Sequence, residues 1–250
     1  MQTEKKKLEW LDYDSLEDHP SIIGRTFLRH GGASIGAFST LNISDAVGDH
    51  PDSVKVNRSL ILNSIGVSHL AFAKQKHGDN VVKVTLDNYS KLPEADGIYT
   101  RESDIGLVVT HADCQAAIFY DPVNQIIGAV HAGWRGLVQK DVYKSMVDTF
   151  VQEGSNLEDI IVCVSPSLGP EHSEFKNYKT EIPKEFWDFQ IRPFYFDLWK
   201  IARFRLSEAG ILEGNIELAE ICTFSNPKDY FSYRRDKITG RHGTVIAIKK

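Results

Sequence analysis

The chain has 250 residues, 42% hydrophobic and 25% charged, with a formal net charge of −5. That is the composition of an ordinary soluble globular protein long enough to bury a sizeable core. Its acidity excludes a general attraction to nucleic acid or anionic lipid, so any anionic ligand must be held by a local cluster of basic residues.

Cys114, Cys163 and Cys222 are the only cysteines. So odd and sparse a set is no disulfide framework and fits a reducing compartment. Lys5, Lys6 and Lys7 are followed by Glu9, Asp12 and Asp14 rather than by an apolar run, which argues against a signal peptide. No apolar stretch approaches the ~20 residues needed to span a bilayer. A cytoplasmic protein is expected.

In chain order, Arg29-His30-Gly31-Gly32 is a polar glycine turn. A helix is predicted over residues 54–65, preceded by Pro51-Asp52-Ser53 and stopped by Gly66. Strands are predicted over 71–75, 81–85, 106–110, 116–120, 126–130, 160–164, 216–221 and 244–248, each rich in Val, Ile or Phe and bounded by turn residues. A second helix, 137–152, carries Val138, Val142, Met146, Val147 and Phe150 at helical spacing, which marks a core-facing stripe. A third, 198–209, has Asp197 as its N-cap and Gly210 as its stop. With no repeat or linker visible, the expected fold is one α+β domain of mixed, largely antiparallel sheets packed by helices.

Three residues in small-residue turns at strand edges carry the chemistry: His77 before Gly78-Asp79, Cys114 after Asp113, and His131 before Ala132-Gly133. Two imidazoles and one thiolate suit Zn²⁺, and three protein ligands leave an open position, the mark of a catalytic site. A turn at Asp121-Pro122-Val123-Asn124, centred between Pro122 and Val123, pairs Tyr120 with Gln125 and, extended back, Cys114 with His131 on one face. Asp113 is a candidate general base or supporting partner, and Gln75 a candidate to orient His77 or a substrate. Arg135, at the entrance to the second helix, and Arg234, Arg235 and Arg241, in a dense polar turn region, are candidate phosphate binders. Cys163 and Cys222 are expected to be structural.

The chain resembles the YfiH family, once described as laccase-like multicopper polyphenol oxidases and now assigned as purine nucleoside phosphorylases with adenosine deaminase activity. The resemblance is carried by Arg29-His30-Gly31-Gly32, Thr40-Leu41-Asn42, Gly48-Asp49, Asn57-Arg58, Gln75-Lys76-His77-Gly78, Ala95-Asp96-Gly97 and Ala112-Asp113-Cys114. His131-Ala132-Gly133-Trp134-Arg135-Gly136, Cys222-Thr223, Phe231-Ser232-Tyr233-Arg234-Arg235 and Thr239-Gly240-Arg241 complete it. It runs from about Arg25 to the C-terminus, leaving residues 1–24 as an N-terminal extension or edge segment and 25–250 as the catalytic domain.

The resemblance implies zinc on His77, Cys114 and His131, a fold like that of toxin deamidases, and phosphorolysis of adenosine, inosine, guanosine and methylthioadenosine. Its ligands would be a nucleoside and phosphate, held by Arg58 together with the arginines above, with no nucleic acid or membrane partner. The sequence departs from the family at Ser165 to Glu174, at His111 where a small residue is usual, and at Gln115-Ala116 where a proline is usual. These changes touch the pocket wall, and His111 and His172 add titratable groups. One alternative is a Cys–His amide hydrolase, using Cys114 and His131, that acts in peptidoglycan precursor editing. Copper polyphenol oxidation is the weakest reading, since none of the nine histidines forms a His-x-His pair, although a His2Cys site can take copper adventitiously.

Overall fold

The computed structural model describes residues 7–249; the outermost residues of the predicted N-terminal segment, 1–6, and Lys250 lie outside the described residues. Two sheets stack face to face between helices. The first has the order β1 (Trp10–Asp12), β2 (Ile22–Phe27), β13 (His242–Ile248), β6 (Ile105–His111), β3 (His69–Ala71). The second runs β12 (Ile216–Leu218), β9 (Ile161–Val164), β7 (Gln115–Asp121), β8 (Ile126–Ala132), β5 (Gly97–Thr100), β4 (Val81–Lys83). Interior pairings are antiparallel, while β3–β6, β4–β5 and β9–β12 are parallel. A short ribbon of β10 (Gln190–Arg192) and β11 (Tyr195–Phe196) stands apart.

Period-two alternation explains the layering. On β7, Ala116, Ile118 and Tyr120 face the first sheet, where they meet Leu107, Val109 and Ile246. Ala117 and Phe119 face the other way, onto α2 (Val142–Gln152) and α4 (Leu198–Glu208). The far side of the first sheet is covered by α1 (Pro51–Ile65), through Ile61 and Ile65. The expected α+β domain is therefore a four-layer α–β–β–α stack, and the apolar stripe from Val138 to Phe150 is buried as expected. Two short helices, α3 (Tyr178–Glu181) and α5 (Tyr233–Asp236), lie in the connections.

Several expectations need correction. The segment 137–152 is not one helix: a π-helical turn, Gly136–Lys140, ends at Asp141, whose left-handed φ of 58° breaks the ladder before α2 starts. The Asp141 side chain then caps the new helix by accepting the Lys144 N–H. The β7–β8 turn is four residues long, not two. Asp121 Oδ1 accepts the N–H groups of Val123 and Asn124, and Gln125 takes φ 50°, so Tyr120 pairs with Ile127. His131 consequently opposes Ala116 rather than Cys114. The displacement is even, so Cys114 and His131 keep a common face. The predicted strand 71–75 sits earlier, at His69–Ala71, and leaves Gln75 in the loop beyond. Asp197 caps α4 as expected, accepting from Trp199 N and Lys200 N.

Candidate metal centre and its cavity

The site lies where the two sheets exchange chain. β6 ends at His111 in the first sheet and β7 begins at Gln115 in the second, so residues 112–114 must cross between them. Asp113 makes the turn in the left-handed region, at φ 88°. Its carboxylate is fully engaged: Oδ1 accepts from Thr223 Oγ1 and Oδ2 from the Arg234 N–H. Asp113 therefore fixes the loop that presents Cys114, and it ties in the segments carrying Thr223 and Arg234.

His77 also sits at a strained φ of 59°. A non-glycine residue holds that conformation only where its surroundings impose it. Here the agent is Asp96, immediately before β5. Asp96 Oδ2 accepts the N–H groups of Lys76 (3.0 Å) and Gly78 (2.8 Å), and Oδ1 accepts that of His77 (3.0 Å). The same Oδ1 takes Nδ1 of His131 at 2.8 Å, and the Asp96 carbonyl accepts the His131 N–H. One buried carboxylate thus positions both histidines. Gly133 completes the packing, since a Cβ at that position would stand 2.0 Å from His77 Nδ1. The two imidazoles meet edge to face with centroids 4.8 Å apart.

These interactions shift the protonation equilibria. Burial opposes ionisation of Asp96, but hydrogen bonds from His131, Gly78 and Lys76 prevail and lower its pKa. Burial likewise opposes charge on His131, yet Cys114 and Asp96 together raise its pKa to about 9 in the metal-free site. His77 is exposed as a residue, but crowding of its ring and the neighbouring His131 lower its pKa, against the pull of Asp96.

The ligand atoms of His77, Cys114 and His131 all lie within 4.8 Å of one another, the only such cluster among the described residues. A tetrahedral ion with bonds of ~2.0–2.3 Å needs donors roughly 3.3–3.8 Å apart, within reach of small side-chain adjustments. The Asp96 to His131 bond engages Nδ1 and leaves Nε2 free, the outer-shell arrangement that would orient a ligating imidazole. The donor set fits a metal ion.

The cluster forms part of the wall of a cavity of about 1320 Å³. Arginines and lysines in this wall outnumber carboxylates seven to three, in a protein of net charge −5. Arg58, Arg234 and Arg241 line it as expected, and Gln75 does too. Gln75 is held by Thr110, accepting from its N–H and donating to its carbonyl. Arg58 stacks over Phe72 and pairs with Asp45. Arg241 donates to two neighbouring carbonyls; burial lowers its pKa while Cys114 and Asp113 favour its charge.

Arg135 and Arg235 are placed elsewhere. Arg135 is exposed and stacks on Trp134, and the Arg235 guanidinium is taken up by the carbonyls of Thr223, Phe224 and Tyr230 and by Asp236. His111 is in the cavity wall, whereas His172 stacks on Phe224 outside it. Cys163 is buried in the core, and Cys222 accepts the Gly169 N–H. Asp96 enters the sequence reading only within Ala95-Asp96-Gly97 and without a role, because nothing in its spacing ties it to His77 or His131.

Fold and site together define an α+β protein with a His2Cys cluster, placed to hold a metal ion, that opens on a cation-lined cavity. The family model described as multi-copper polyphenol oxidoreductase laccase matches residues 25–249, and the chain belongs to this family, the YfiH family. A purine nucleoside phosphorylase of Haemophilus influenzae is 32% identical over 88% of this chain and 92% of its own length. The purine nucleoside phosphorylase YfiH of Escherichia coli is 30% identical, covering 87% and 90%. The crystal structure of the Bacillus licheniformis hypothetical protein YfiH superposes with a TM-score of 0.88 at 30% identity, covering 96% of each chain. No helix among the described residues is long and apolar enough to cross a membrane.

Proposed function

We propose that this chain is a zinc-dependent purine nucleoside enzyme of the cytoplasm. It cleaves adenosine, inosine, guanosine or methylthioadenosine with phosphate to the free base and the pentose 1-phosphate, and it deaminates adenosine. The observation that carries this reading is the His77–Cys114–His131 cluster set in a cation-rich cavity large enough for a nucleoside and phosphate together. The names of its relatives support it.

In phosphorolysis a phosphate oxygen bonds to the anomeric carbon while the carbon–nitrogen bond breaks and its electron pair leaves on the base. Arg234 and Arg241 supply planar donors for the phosphate. Trp134, Leu137, Phe175 and Leu198 form an apolar stretch of wall that excludes water and covers the faces of a base. Asp96 holds His131 and the His77 turn in place. His77, Cys114 and His131 would hold zinc, which would supply Lewis acidity to either reaction.

One arrangement favours a second reading. Asp96, His131 and Cys114 also stand in the acid–imidazole–thiol order of a cysteine hydrolase, which would suit an amide substrate in peptidoglycan precursor editing. Copper oxidation by several ions has no such support, because the described residues offer one donor cluster. Adenosine or inosine is incubated with metal-analysed protein, with and without phosphate, and the products are separated by chromatography. Phosphate-dependent base release, lost in Cys114→Ala, supports the proposal. Inosine formed from adenosine without phosphate reports deamination. A thiol hydrolase would survive chelation and be lost on alkylation, and absence of any nucleoside turnover refutes the proposal.

A further inference from the structure

The seven cations of the cavity wall are not equally free. Arg58 pairs with Asp45 at 3.2 Å, Lys74 with Glu94 at 2.9 Å and Lys176 with Glu174 at 4.0 Å. The charges of Lys91, Arg234, Lys237 and Arg241 have no carboxylate partner among the described residues. Three of these four come from the single stretch 234–241. Arg234 donates from Nη1 to the carbonyls of His172 and Glu174, and Arg241 from Nη1 to those of Thr239 and Gly240. Nε and Nη2 of both arginines stay without a partner among the described residues, and they reach solvent. Cys114 and Asp113 lie close enough to Arg241 for their charges to act on it, so this stretch borders the His77–Cys114–His131 cluster.

Lys237 holds its place in that stretch against its own backbone preference. Its φ is 60° and its ψ −59°, and the Ile238 N–H donates across it to the Asp236 carbonyl at 2.7 Å. This is a γ-turn of the rare, strained hand rather than the common inverse form. Glycine takes such a conformation without steric cost, and lysine does not. The surroundings impose it: the Lys237 N–H donates to the Tyr233 carbonyl, the Asp236 N–H to that of Ser232, and the Arg235 guanidinium is anchored on three carbonyls. The turn leaves the exposed Lys237 in the cavity wall with its Nζ 5.3 Å from the Tyr233 ring centroid. The guanidinium carbon of Arg241 lies 5.6 Å from the same centroid, so one ring gathers both cations. Strain of this kind is kept where function uses it, and no ion pair of Lys237 accounts for it here.

We propose that Lys237 is a phosphate-binding residue, which with Arg241 and the Tyr233 ring forms an anion subsite beside the His77–Cys114–His131 cluster. Its occupant is the inorganic phosphate of the cleavage reaction, an assignment that rests on the nucleoside reading above. A planar guanidinium and a compact ammonium divide the work on a tetrahedral anion. Arg241 offers directed donors that fix orientation, and Lys237, on a flexible stem at the exposed side, draws the anion in and offsets its charge.

Three variants test this. Lys237→Gly removes the charge and relaxes the turn, Lys237→Met removes the charge and keeps the turn, and Lys91→Met removes the other unpaired lysine of the wall. Both Lys237 variants should raise the KM for phosphate about fivefold or more and hold that for inosine within about twofold, while Lys91→Met should change neither. Titration calorimetry of the zinc-loaded proteins with inorganic phosphate alone gives a readout apart from turnover, and the Kd should rise by the same factor. Lys237→Gly should also raise the urea midpoint, which Lys237→Met should not. A phosphate KM and Kd unchanged in both Lys237 variants, an equal loss in Lys91→Met, or a lowered urea midpoint in Lys237→Gly overturns the subsite and leaves the nucleoside reading standing. A wild type that binds phosphate through Lys237 but turns over no nucleoside supports the subsite and refutes that reading.

Discussion

Replacing Asp96 with asparagine removes one charge and leaves the shape nearly intact, so it isolates what the carboxylate does. Oδ2 accepts from Lys76 and Gly78 and Oδ1 from His77 and His131, all between 2.8 and 3.0 Å. An asparagine carbonyl can replace only one of these oxygens. Whichever way the amide is turned, its NH₂ group faces two donors. Hydrogen bonds to charged groups contribute about 1.5–3 kcal/mol each, so losing two of them, with some relaxation, should cost Asp96→Asn about 3 kcal/mol of stability.

Zinc affinity should fall roughly 10–100-fold, as for other residues that orient ligating histidines. The folded pKa of Asp96 is depressed. Its stabilisation is therefore present above the unfolded carboxylate value near ~3.9 and disappears as pH falls through the folded value. Urea unfolding of the zinc-free proteins at pH 7 and through the acid range measures the first effect, and competition with a chromophoric chelator measures the second. The stability gap between wild type and variant should be widest near neutrality and close in acid. A variant within about 0.5 kcal/mol of wild type at pH 7, with zinc affinity within about twofold, would refute the role given to Asp96.

Gly133→Ala places a methyl group 2.0 Å from His77 Nδ1 and must push that ring aside; zinc affinity should drop at least about tenfold by the same competition assay, and a normal affinity would contradict the packing described. Arg241→Ala should raise the KM for phosphate several-fold, whereas Arg235→Ala, whose guanidinium binds carbonyls and Asp236, should lower the urea midpoint and leave that KM unchanged. Steady-state kinetics and urea melts of the pair separate the two roles, and the reverse pattern would overturn them. In the zinc-free protein the His131 pKa is raised from 6.5 to about 9. Its stabilising effect is thus complete below the unfolded value and lost as pH rises through about 9, so the urea midpoint should fall across that interval. A flat midpoint there would show that the pairing of His131 with Cys114 and Asp96 does not form.

Much of the framework is legible in the sequence because it rests on local pattern. The long apolar runs that became β6, β7, β8 and β13 stand out, and so does the Asp197 cap of α4. The short edge strand β1 and the four-residue β5 do not, since so few residues carry no usable period. The Asp121 turn misled the register because its side chain captures two backbone donors and lengthens the loop. The apolar spacing of 137–152 continues through Asp141, and only the backbone shows the break. His77, Cys114 and His131 can be found from residue type and turn context. Asp96 cannot, because its four donors come from segments 18 to 35 residues away. The arginines look alike in sequence, and only the structure shows that Arg241 lines the cavity while Arg235 lies outside it, paired with Asp236.

The central claim is that one metal ion, held by His77, Cys114 and His131, is needed for nucleoside cleavage. Its most direct test is a titration of the metal-stripped protein with zinc, following phosphate-dependent release of hypoxanthine from inosine. Activity should rise from near zero and break sharply at one zinc per chain. Full activity before any zinc is added, or a rise unrelated to that stoichiometry, would contradict the account.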